Sequence, residues 1–368
     1  MTNVKLKNAK IKREYRLYLE EAKGFNEKTV DKVLKAITLY EKIFPNKDFA
    51  LFNRDRAMQF KKELRKRKYN GKSISGNTVR AYLSHLRSFF LWLCIQSGYK
   101  KIPKDSLEYL KVNKKENRLA VQSLPKEFPM IEYVLELIKS IEINSEVDRR
   151  DQALISFTFL SGMRDFAVVS LPLNCIDEDR LVVIQNPNLG VKTKFSKTIL
   201  STIFKFDDYL LKIVIDWIKY LRVKSFSPRD PVFPRSKSNL IRNGYSFIKS
   251  TEIAPHFWET TNSIRKIFRE RAENANLQYY PPNAFRHSAI YYAFKYAKNG
   301  EEIKAISQNF GHEDIITTLS VYANLSPENL IKTLSNIDYT DKTEVSNEDI
   351  MKRVNELSEI LAVQQLIR

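Results

Sequence analysis

The stretch NFGHEDIITTLSVYANLSPE, residues 309–328, places His312 directly after a glycine and Tyr322 ten residues further on. Glycine is typical of a helix end, and Tyr322 shares an apolar helical stripe with Leu319 and Leu325. Two interpretations follow. Tyr322 is a core aromatic while His312 caps a helix, or the tyrosine is a nucleophile placed beside a histidine. The rest of the chain has to decide between them.

Composition indicates a folded, mainly helical protein. The chain has 368 residues, of which 43% are hydrophobic and 12% aromatic, so it is long enough to bury two or three cores. It has only nine glycines, which is unfavourable for a fold rich in strands and turns. Long stretches with a 3.6-residue apolar period favour helices. We predict a mainly α protein with a small β-hairpin sheet (α+β).

The net charge points to a polyanionic partner. Lysine and arginine total 62 against 43 acidic residues, which gives a net charge of +19. An excess of this size favours nucleic acid first and an anionic membrane second. The longest apolar run, FFLWLCI at 89–95, is too short to cross a bilayer. We therefore expect double-stranded DNA as the partner and no membrane.

The N-terminus and the cysteines indicate a reducing compartment. The segment MTNVKLKNAKIKREY is basic and has no apolar run, so it is not a secretory signal. It is either a basic arm that lies on DNA or a solubilising end. Cys94 and Cys175 form neither a disulfide framework nor a zinc pattern. We expect a cytoplasmic, nucleoid-associated protein without a metal or another cofactor.

Composition along the chain divides it into four parts. Residues 1–100 are predicted to form a helical DNA-binding domain. A lysine-rich linker bounded by prolines follows at 101–125. The larger domain covers 126–335 and contains the residues suited to catalysis. The tail, 336–368, includes an amphipathic helix that packs either on its own domain or on a neighbouring copy.

The first domain carries a basic surface. Its helices are predicted at roughly 27–44 and 54–67, and a third begins with Asn77 as its N-cap and stops before Gly98. Arg80 and Arg87 lie on the polar face of the third helix. A solvated face and a phosphate-binding face are both open interpretations, and the net charge favours phosphate. The basic run before this helix contains Lys61, Lys62, Arg65, Lys66, Arg67, Lys68 and Lys72.

The second domain alternates helices with a single strand-rich segment. Residues 180–204, RLVVIQNPNLGVKTKFSKTILSTIF, are predicted to form the β-hairpin, with a turn around Asn186 and Gly190. Helices are expected near 130–142, 147–161, 207–222, 257–274, 285–298 and 301–310.

Three stretches of this domain bear polar residues at helix ends or turns. They are FLSGMRDFAVVSLPLNCID with Arg164, the turn GVKTKFSKTIL, and NAFRHS with Arg286 leading towards His312 and Tyr322. Guanidinium groups bind phosphate oxygens bidentately. A lysine can protonate a leaving alkoxide, and a tyrosine hydroxyl can attack phosphorus. The set is suited to covalent phosphoryl transfer without a two-metal site.

In order and spacing, these stretches resemble the tyrosine recombinase (phage integrase) family. LSGMRDFAVVSLPLNCID is similar to the first arginine box of that family, and NAFRHS to its His-x-x-Arg-His box. FGHEDIITTLSVYANLSPE resembles its Leu-Gly-His…Tyr box. SISGNTVRAYLSHLRSFFLWL is similar to a helix of the core-binding domain. The resemblance covers roughly residues 8–335.

The resemblance implies a role for each matched residue. Arg164 and Arg286 bind the non-bridging oxygens of the scissile phosphate, and His312 assists them. Lys192 is the general acid for the 5′ oxygen. Tyr322 forms a 3′-phosphotyrosine link. The bond energy is retained, so neither ATP nor a metal ion is implied.

Two positions depart from the family pattern. Asn283 stands where the second box usually begins with histidine, and it is still counted among the catalytic residues. Ala167 stands where an acid usually follows the first arginine. An amide donates hydrogen bonds but does not shuttle protons. Our hypothesis is that the two changes are linked.

Plainer interpretations stand beside several of these roles. Arg164 is alternatively a buried partner of Asp165 or Asp177. Lys194 shares the turn with Lys192, as does Lys197, and only the offset to the following strand favours Lys192.

Recombination implies a tetramer on DNA, with duplex held between two domains and the tail helix exchanged between protomers. We predict a site-specific recombinase or integrase for mobile-element integration or excision. The alternatives are a non-cleaving DNA-binding regulator derived from the family and a monomeric DNA-relaxing topoisomerase.

Overall fold

The computed structural model divides the chain into two compact units, Met1–Leu124 and Pro125–Arg368. The predicted tail helix lies outside the described part of the chain. Within the described part, no helix is both long and apolar enough to cross a bilayer. The structure describes residues 3–69, 71–113, 127–237 and 251–311, without the side chain of Lys72.

The first unit is helical. Side chains of Asn26, Asn53 and Ser75 each accept a hydrogen bond from the backbone N–H three residues later and so cap α2, α3 and α4. The expected cap at Asn77 is wrong, because Ser75 already bonds Thr78 N and the helix starts at Gly76. The four long helices are α1 (Asn3–Leu17), α2 (Glu27–Ile43), α3 (Arg54–Lys66) and α4 (Gly76–Leu93).

Aromatic rings fill the core of the first unit. The Phe52 and Phe90 rings are stacked with centroids 3.9 Å apart, and Tyr40 lies edge-on to Phe90. Leu107 and Leu110, which the sequence analysis placed in a linker, are buried in the same core. They lie on a 3₁₀ helix, Lys104–Leu110, whose three-residue period is too short to produce a recognisable α-helical pattern.

The second unit is built around one buried helix, α6, which packs against α8 and α10. Nearly all its residues after the first turn are buried, so this part of the helix has no solvent-exposed face. The prediction of a mainly helical chain with a small sheet is confirmed by these elements and by the three strands described next. The helices are α5 (Ile131–Lys139), α6 (Glu146–Ser161), α7 (Asp165–Val169), α8 (Asp208–Val223), α9 (Asn262–Asn274), α10 (Pro282–Tyr296) and α11 (Gly300–Asn309).

The main sheet of this unit is antiparallel in the order β3–β4–β5, and Gln185 pairs with Ile199 at the turn end. Alternate residues such as Val183 and Ser201 are buried, while Ile184 and Leu200 face outward. Residues 186–198 connect β4 to β5. The strands of the described residues are β1 (Lys68–Tyr69), β2 (Lys72–Ser73), β3 (Ile176–Asp177), β4 (Val182–Gln185), β5 (Ile199–Thr202), β6 (Arg235–Ser236) and β7 (Ile253–Ala254).

A buried ionic network joins α6 to α9. Arg150 is 1% exposed, and its guanidinium donates to Asp151 at 2.6 Å. Arg271 of α9 donates to the other oxygen of Asp151 at 2.9 Å and to Asp148 at 2.5 Å. Arg271 thus pairs with both carboxylates, and Arg150 pairs with Asp151 as well. These cations offset the free-energy cost of removing the carboxylates from water.

The end of α6 is packed against the residues that follow α11. Gly162 caps α6 in a left-handed conformation, with φ of 56°. A Cβ atom at this glycine would lie 2.4 Å from the Phe310 ring and 2.9 Å from Ala289 Cβ. A residue larger than glycine therefore meets both backbone strain and steric overlap.

We expect Gly162→Ala to lower the free energy of unfolding by about 2 to 4 kcal/mol, because strain and overpacking add. The matched control is Gly190→Ala, where φ is 96° but nothing lies within 4 Å of an added Cβ. The control should lose only about 1 to 2 kcal/mol. Urea denaturation measures both, and equal losses would show that the Phe310 contact does not limit this position.

Candidate active site

Two arginines distant in sequence meet at one carbonyl oxygen. Arg286, within α10, donates from Nη2 to Phe310 O at 2.8 Å and from Nη1 to Gly162 O at 2.6 Å. Arg164, the residue before α7, approaches Phe310 O with Nη1 at 3.5 Å. The structure therefore brings together the arginines of the first and third stretches.

Burial concentrates the positive charge of this pair. Arg286 is 6% exposed, and Arg164 is half-buried, which lowers the pKa of its guanidinium. The alternative ion pair of Arg164 with Asp165 is not formed: Asp165 Oδ2 instead accepts from Arg265 at 2.6 Å. Among the described residues, Asp177 is likewise no partner of Arg164, and its carboxylate accepts from Arg180 N. A partly buried cation of this kind attracts an anionic ligand.

The lysine-bearing turn begins with a well-anchored segment. Gly190 adopts φ of 96°, and Val191 is buried in the core of the second unit. The N–H of Lys192 donates to Ser170 Oγ at 2.8 Å, while its side chain extends into solvent. The backbone of Lys192 is thus tied to the helix that follows Arg164.

The tip of the turn holds the other two lysines. Phe195 and Ser196 both have positive φ, and the Phe195 side chain is 71% exposed. A cleft of about 740 Å³ runs beside this tip, and its lining includes Arg164, Lys194 and Lys197 but not Lys192. The structure therefore places two lysines in the cleft of Arg164 and anchors the third beside it.

Asn283 lies exposed in the first turn of α10, one turn before Arg286. Its Nδ2 is 3.1 Å from His287 Nε2, so the two polar side chains form an i, i+4 pair. Ala167, the other departure from the family pattern, is fully buried. No contact in the structure links the two positions, so their coupling stays a hypothesis.

His312 and Tyr322 lie outside the described residues, but the backbone that leads to them is held firmly. Ser201 Oγ donates to Asn309 O at 2.8 Å, and Asn309 Oδ1 accepts from Thr202 N at 2.6 Å. Gly311 packs so closely on Ile199 that an added Cβ would lie 2.5 Å from its Cδ1. Sequence reasoning missed these contacts, since only the period-two burial of β5 hinted at an inward Ser201.

The basic run of the first unit is largely exposed, in and after α3. The side chains of Lys62, Arg67, Lys68 and Arg80 are exposed. Others have partners within the unit: Lys61 donates to Lys111 O at 2.7 Å, Lys66 pairs with Glu63 at 3.3 Å, and Arg87 pairs with Glu108 at 3.1 Å. The exposed cations that have no such partner among the described residues are better suited to binding the phosphate groups of DNA.

A second basic surface was missed by sequence reasoning. Lys35 and Lys42 lie two turns apart on the exposed face of α2 and line a cleft of about 570 Å³ together with Arg67 and Tyr82. The sequence did contain a signal for this surface: Lys35 and Lys42 are seven residues apart, on the side of α2 opposite the buried Ile37.

Comparisons with known proteins agree with this architecture. The model of the phage integrase family matches residues 130–329, just over half of the chain. Tyrosine recombinase XerC of Leptospira interrogans is 27% identical over 253 residues, which cover 67% of this chain and 68% of that protein.

Two solved structures share the fold. A XerH site-specific recombinase bound to palindromic difH substrate, in a post-cleavage complex, is 15% identical with a TM-score of 0.58 and covers 88% of this chain and 84% of its own. A lambda integrase tetramer bound to a Holliday junction is 12% identical with a TM-score of 0.55, with coverage of 85% and 76%. The family match and the paired arginines lead to one conclusion: the chain belongs to the phage integrase family, the tyrosine recombinases.

Proposed function

We propose that this chain is a site-specific DNA recombinase that cuts and rejoins strands through a 3′-phosphotyrosine link at Tyr322. The observation that carries the proposal is the convergence of Arg164 and Arg286 on Phe310 O. This carbonyl lies two residues before His312 in the chain. Family membership and the names of the matched relatives, which are recombinases and an integrase, support the same reaction.

The two arginines act on the phosphate. Arg286 is oriented by the carbonyls of Gly162 and Phe310, and its guanidinium is the group that binds phosphate oxygens in this proposal. Arg164 borders the open cleft and supplies a second guanidinium. Preorganised cations of this kind stabilise the charge that develops in the transition state.

In the reaction, the Tyr322 hydroxyl releases its proton to water as Oη forms a bond to phosphorus and the bond from phosphorus to the 5′ oxygen breaks. The Lys192 ammonium gives its proton to that oxygen, and His312 supports the phosphate. Attack by a 5′ hydroxyl from another strand reverses the step and completes the exchange. The phosphotyrosine retains the bond energy, so the reaction runs without ATP, and the arginines provide the charge stabilisation that a metal would otherwise supply.

DNA contacts in this proposal come from the exposed cations of the first unit. Lys62, Arg67, Lys68 and Arg80 are all exposed, and the Lys35–Lys42 face of α2 extends the basic surface. Strand exchange uses four active sites, so the working assembly is a tetramer on DNA, as in the lambda integrase neighbour. We favour mobile-element integration or excision as the role, in a cytoplasmic, nucleoid-associated protein.

A second function is a regulator that binds DNA without cutting it. The observation in its favour is Asn283, whose side chain is paired with His287 where the family pattern has a proton-carrying histidine.

The decisive experiment is covalent trapping. Wild type and Tyr322→Phe are incubated without added metal or ATP with nicked duplexes from the DNA that flanks the gene. We expect SDS-resistant adducts for wild type only, mapped to Tyr322 by mass spectrometry. The phenylalanine variant is the matched control, since it removes only the hydroxyl. Tight DNA binding by both proteins with no adduct from either would instead establish the regulator.

The two arginines should differ in their effect on stability. Arg286→Ala removes the arginine donor of Gly162 O and the closer arginine donor of Phe310 O, so we expect a loss of about 2 to 4 kcal/mol in unfolding free energy. Arg164→Ala removes a long, half-buried contact and should cost less than about 1 kcal/mol. Both should reduce adduct formation by about 100-fold or more. Urea denaturation and adduct yield test this, and undiminished cleavage by Arg164→Ala would remove that arginine from the site.

Asn283→His should accelerate cleavage by roughly tenfold, because a histidine one turn before Arg286 both donates a hydrogen bond and carries a proton. The exposed position accommodates the ring. Asn283→Gln, which keeps an amide, is the control and should show no gain. Single-turnover rates on the mapped site provide the measurement, and an inactive histidine variant would show that the site is adapted to the amide.

A further inference from the structure

Ser170 connects the first arginine stretch to the lysine-bearing turn. It directly follows α7 and is 6% exposed. Its hydroxyl donates to Phe166 O at 2.8 Å, with Ala167 O further away at 3.3 Å, and accepts from Lys192 N at 2.8 Å. One buried hydroxyl thus bonds both to the helix after Arg164 and to the backbone of the turn.

The Lys192 backbone is held on both sides of this bond. Val191, the residue before it, is 2% exposed and belongs to the core. On the other side, Thr193 Oγ1 donates to Lys197 O at 2.7 Å and closes the tip as a separate loop. Lys194 lies on that exposed tip, beyond the anchored segment. The serine bond therefore distinguishes Lys192 from the other two lysines.

We infer that Ser170 is a positioning residue for proton transfer: it holds the Lys192 backbone so that the ammonium reaches the leaving 5′ oxygen. The inference rests on the proposed function. A general acid must lie within hydrogen-bond reach of the atom that it protonates, and a displacement of about 1 Å can cost roughly 100-fold in rate. Lysine has a long, flexible side chain, so a fixed backbone limits where its ammonium can lie.

The proposed step balances as follows. The Tyr322 hydroxyl releases its proton to water as Oη bonds to phosphorus and the bond to the 5′ oxygen breaks. Lys192 passes a proton to that oxygen and becomes a neutral amine, which regains a proton from water. If sulfur replaces the 5′ bridging oxygen, the leaving group departs as a thiolate. A thiol is a far stronger acid than an alcohol, so this departure does not depend on a proton donor.

The test compares oxygen-bridged and 5′-sulfur-bridged DNA at the mapped cleavage position, using the full-length chain in single turnovers. On oxygen DNA, we expect Lys192→Ala to lose about 100-fold or more in rate and Ser170→Ala roughly 10- to 100-fold. On sulfur DNA, both should return to near the wild-type rate. Arg286→Ala should stay slow on both, because it acts on the phosphate and not on the leaving group.

Two variants separate positioning from folding. Ser170→Thr keeps the hydroxyl and should retain most of the activity on oxygen DNA. Ser156→Ala makes the same change at a fully buried serine of α6 whose Oγ has no partner among the described residues. It should cleave both substrates at the wild-type rate.

Sulfur rescue of both Ser170→Ala and Lys192→Ala supports the inference. A Ser170→Ala defect that persists on sulfur DNA would overturn it, as would wild-type cleavage of oxygen DNA by that variant. The inference would also be overturned if Lys192→Ala cleaved oxygen DNA at the wild-type rate while Lys194→Ala was slow on oxygen DNA and recovered on sulfur DNA. In that case the general acid would be Lys194 and not the anchored Lys192. A wild type that forms no Tyr322 adduct on either substrate would refute the proposed function itself.

Discussion

The second unit depends on one main-chain carbonyl, that of Phe310, which accepts hydrogen bonds from two guanidinium groups. Arg286 is buried against it, and Arg164 approaches it from the cleft. The ring of the same residue fills the space that Gly162 leaves open. These contacts hold together the segment Gly162–Arg164, Arg286 and Phe310. The two arginines are therefore positioned relative to each other without a ligand. Such preorganisation is what charge stabilisation in a transition state requires.

Acidic side chains next to Arg164 and along α6 pair with other arginines and not with Arg164. Asp165, the acid adjacent to Arg164 in sequence, is directed to Arg265 instead. Further along α6, Arg271 pairs with the half-buried Asp148 and with the buried Asp151, and Arg150 pairs with Asp151 as well. Because Asp165 pairs with Arg265, it does not neutralise the half-buried Arg164, which lines the cleft.

The connection between β4 and β5 has two parts that differ in how firmly they are held. Its first part is packed and hydrogen-bonded to Ser170, so it is suited to precise placement of a proton donor. Its tip is exposed, with Phe195 and Ser196 in left-handed conformations and Lys194 beside the cleft. Strained backbone at an exposed tip is tolerated where surrounding contacts determine it, and such positions cluster at functional sites. The lysines differ in backbone support, which their sequence spacing does not reveal.

By itself, the sequence determined the helical class and the position of the hairpin, and it singled out Arg164 and Arg286, which the structure brings together. It could do so because periodicity and short motifs are local properties. It did not find the Ser75 cap, the packing of Leu107 and Leu110, or the basic face at Lys35. Only the tertiary structure decided that Phe310 O joins the arginines and that Ser170 anchors Lys192. Apolar periods show which face of an element is buried, but not which two faces meet. Hydrogen bonds between distant segments therefore become visible only when the chain is folded.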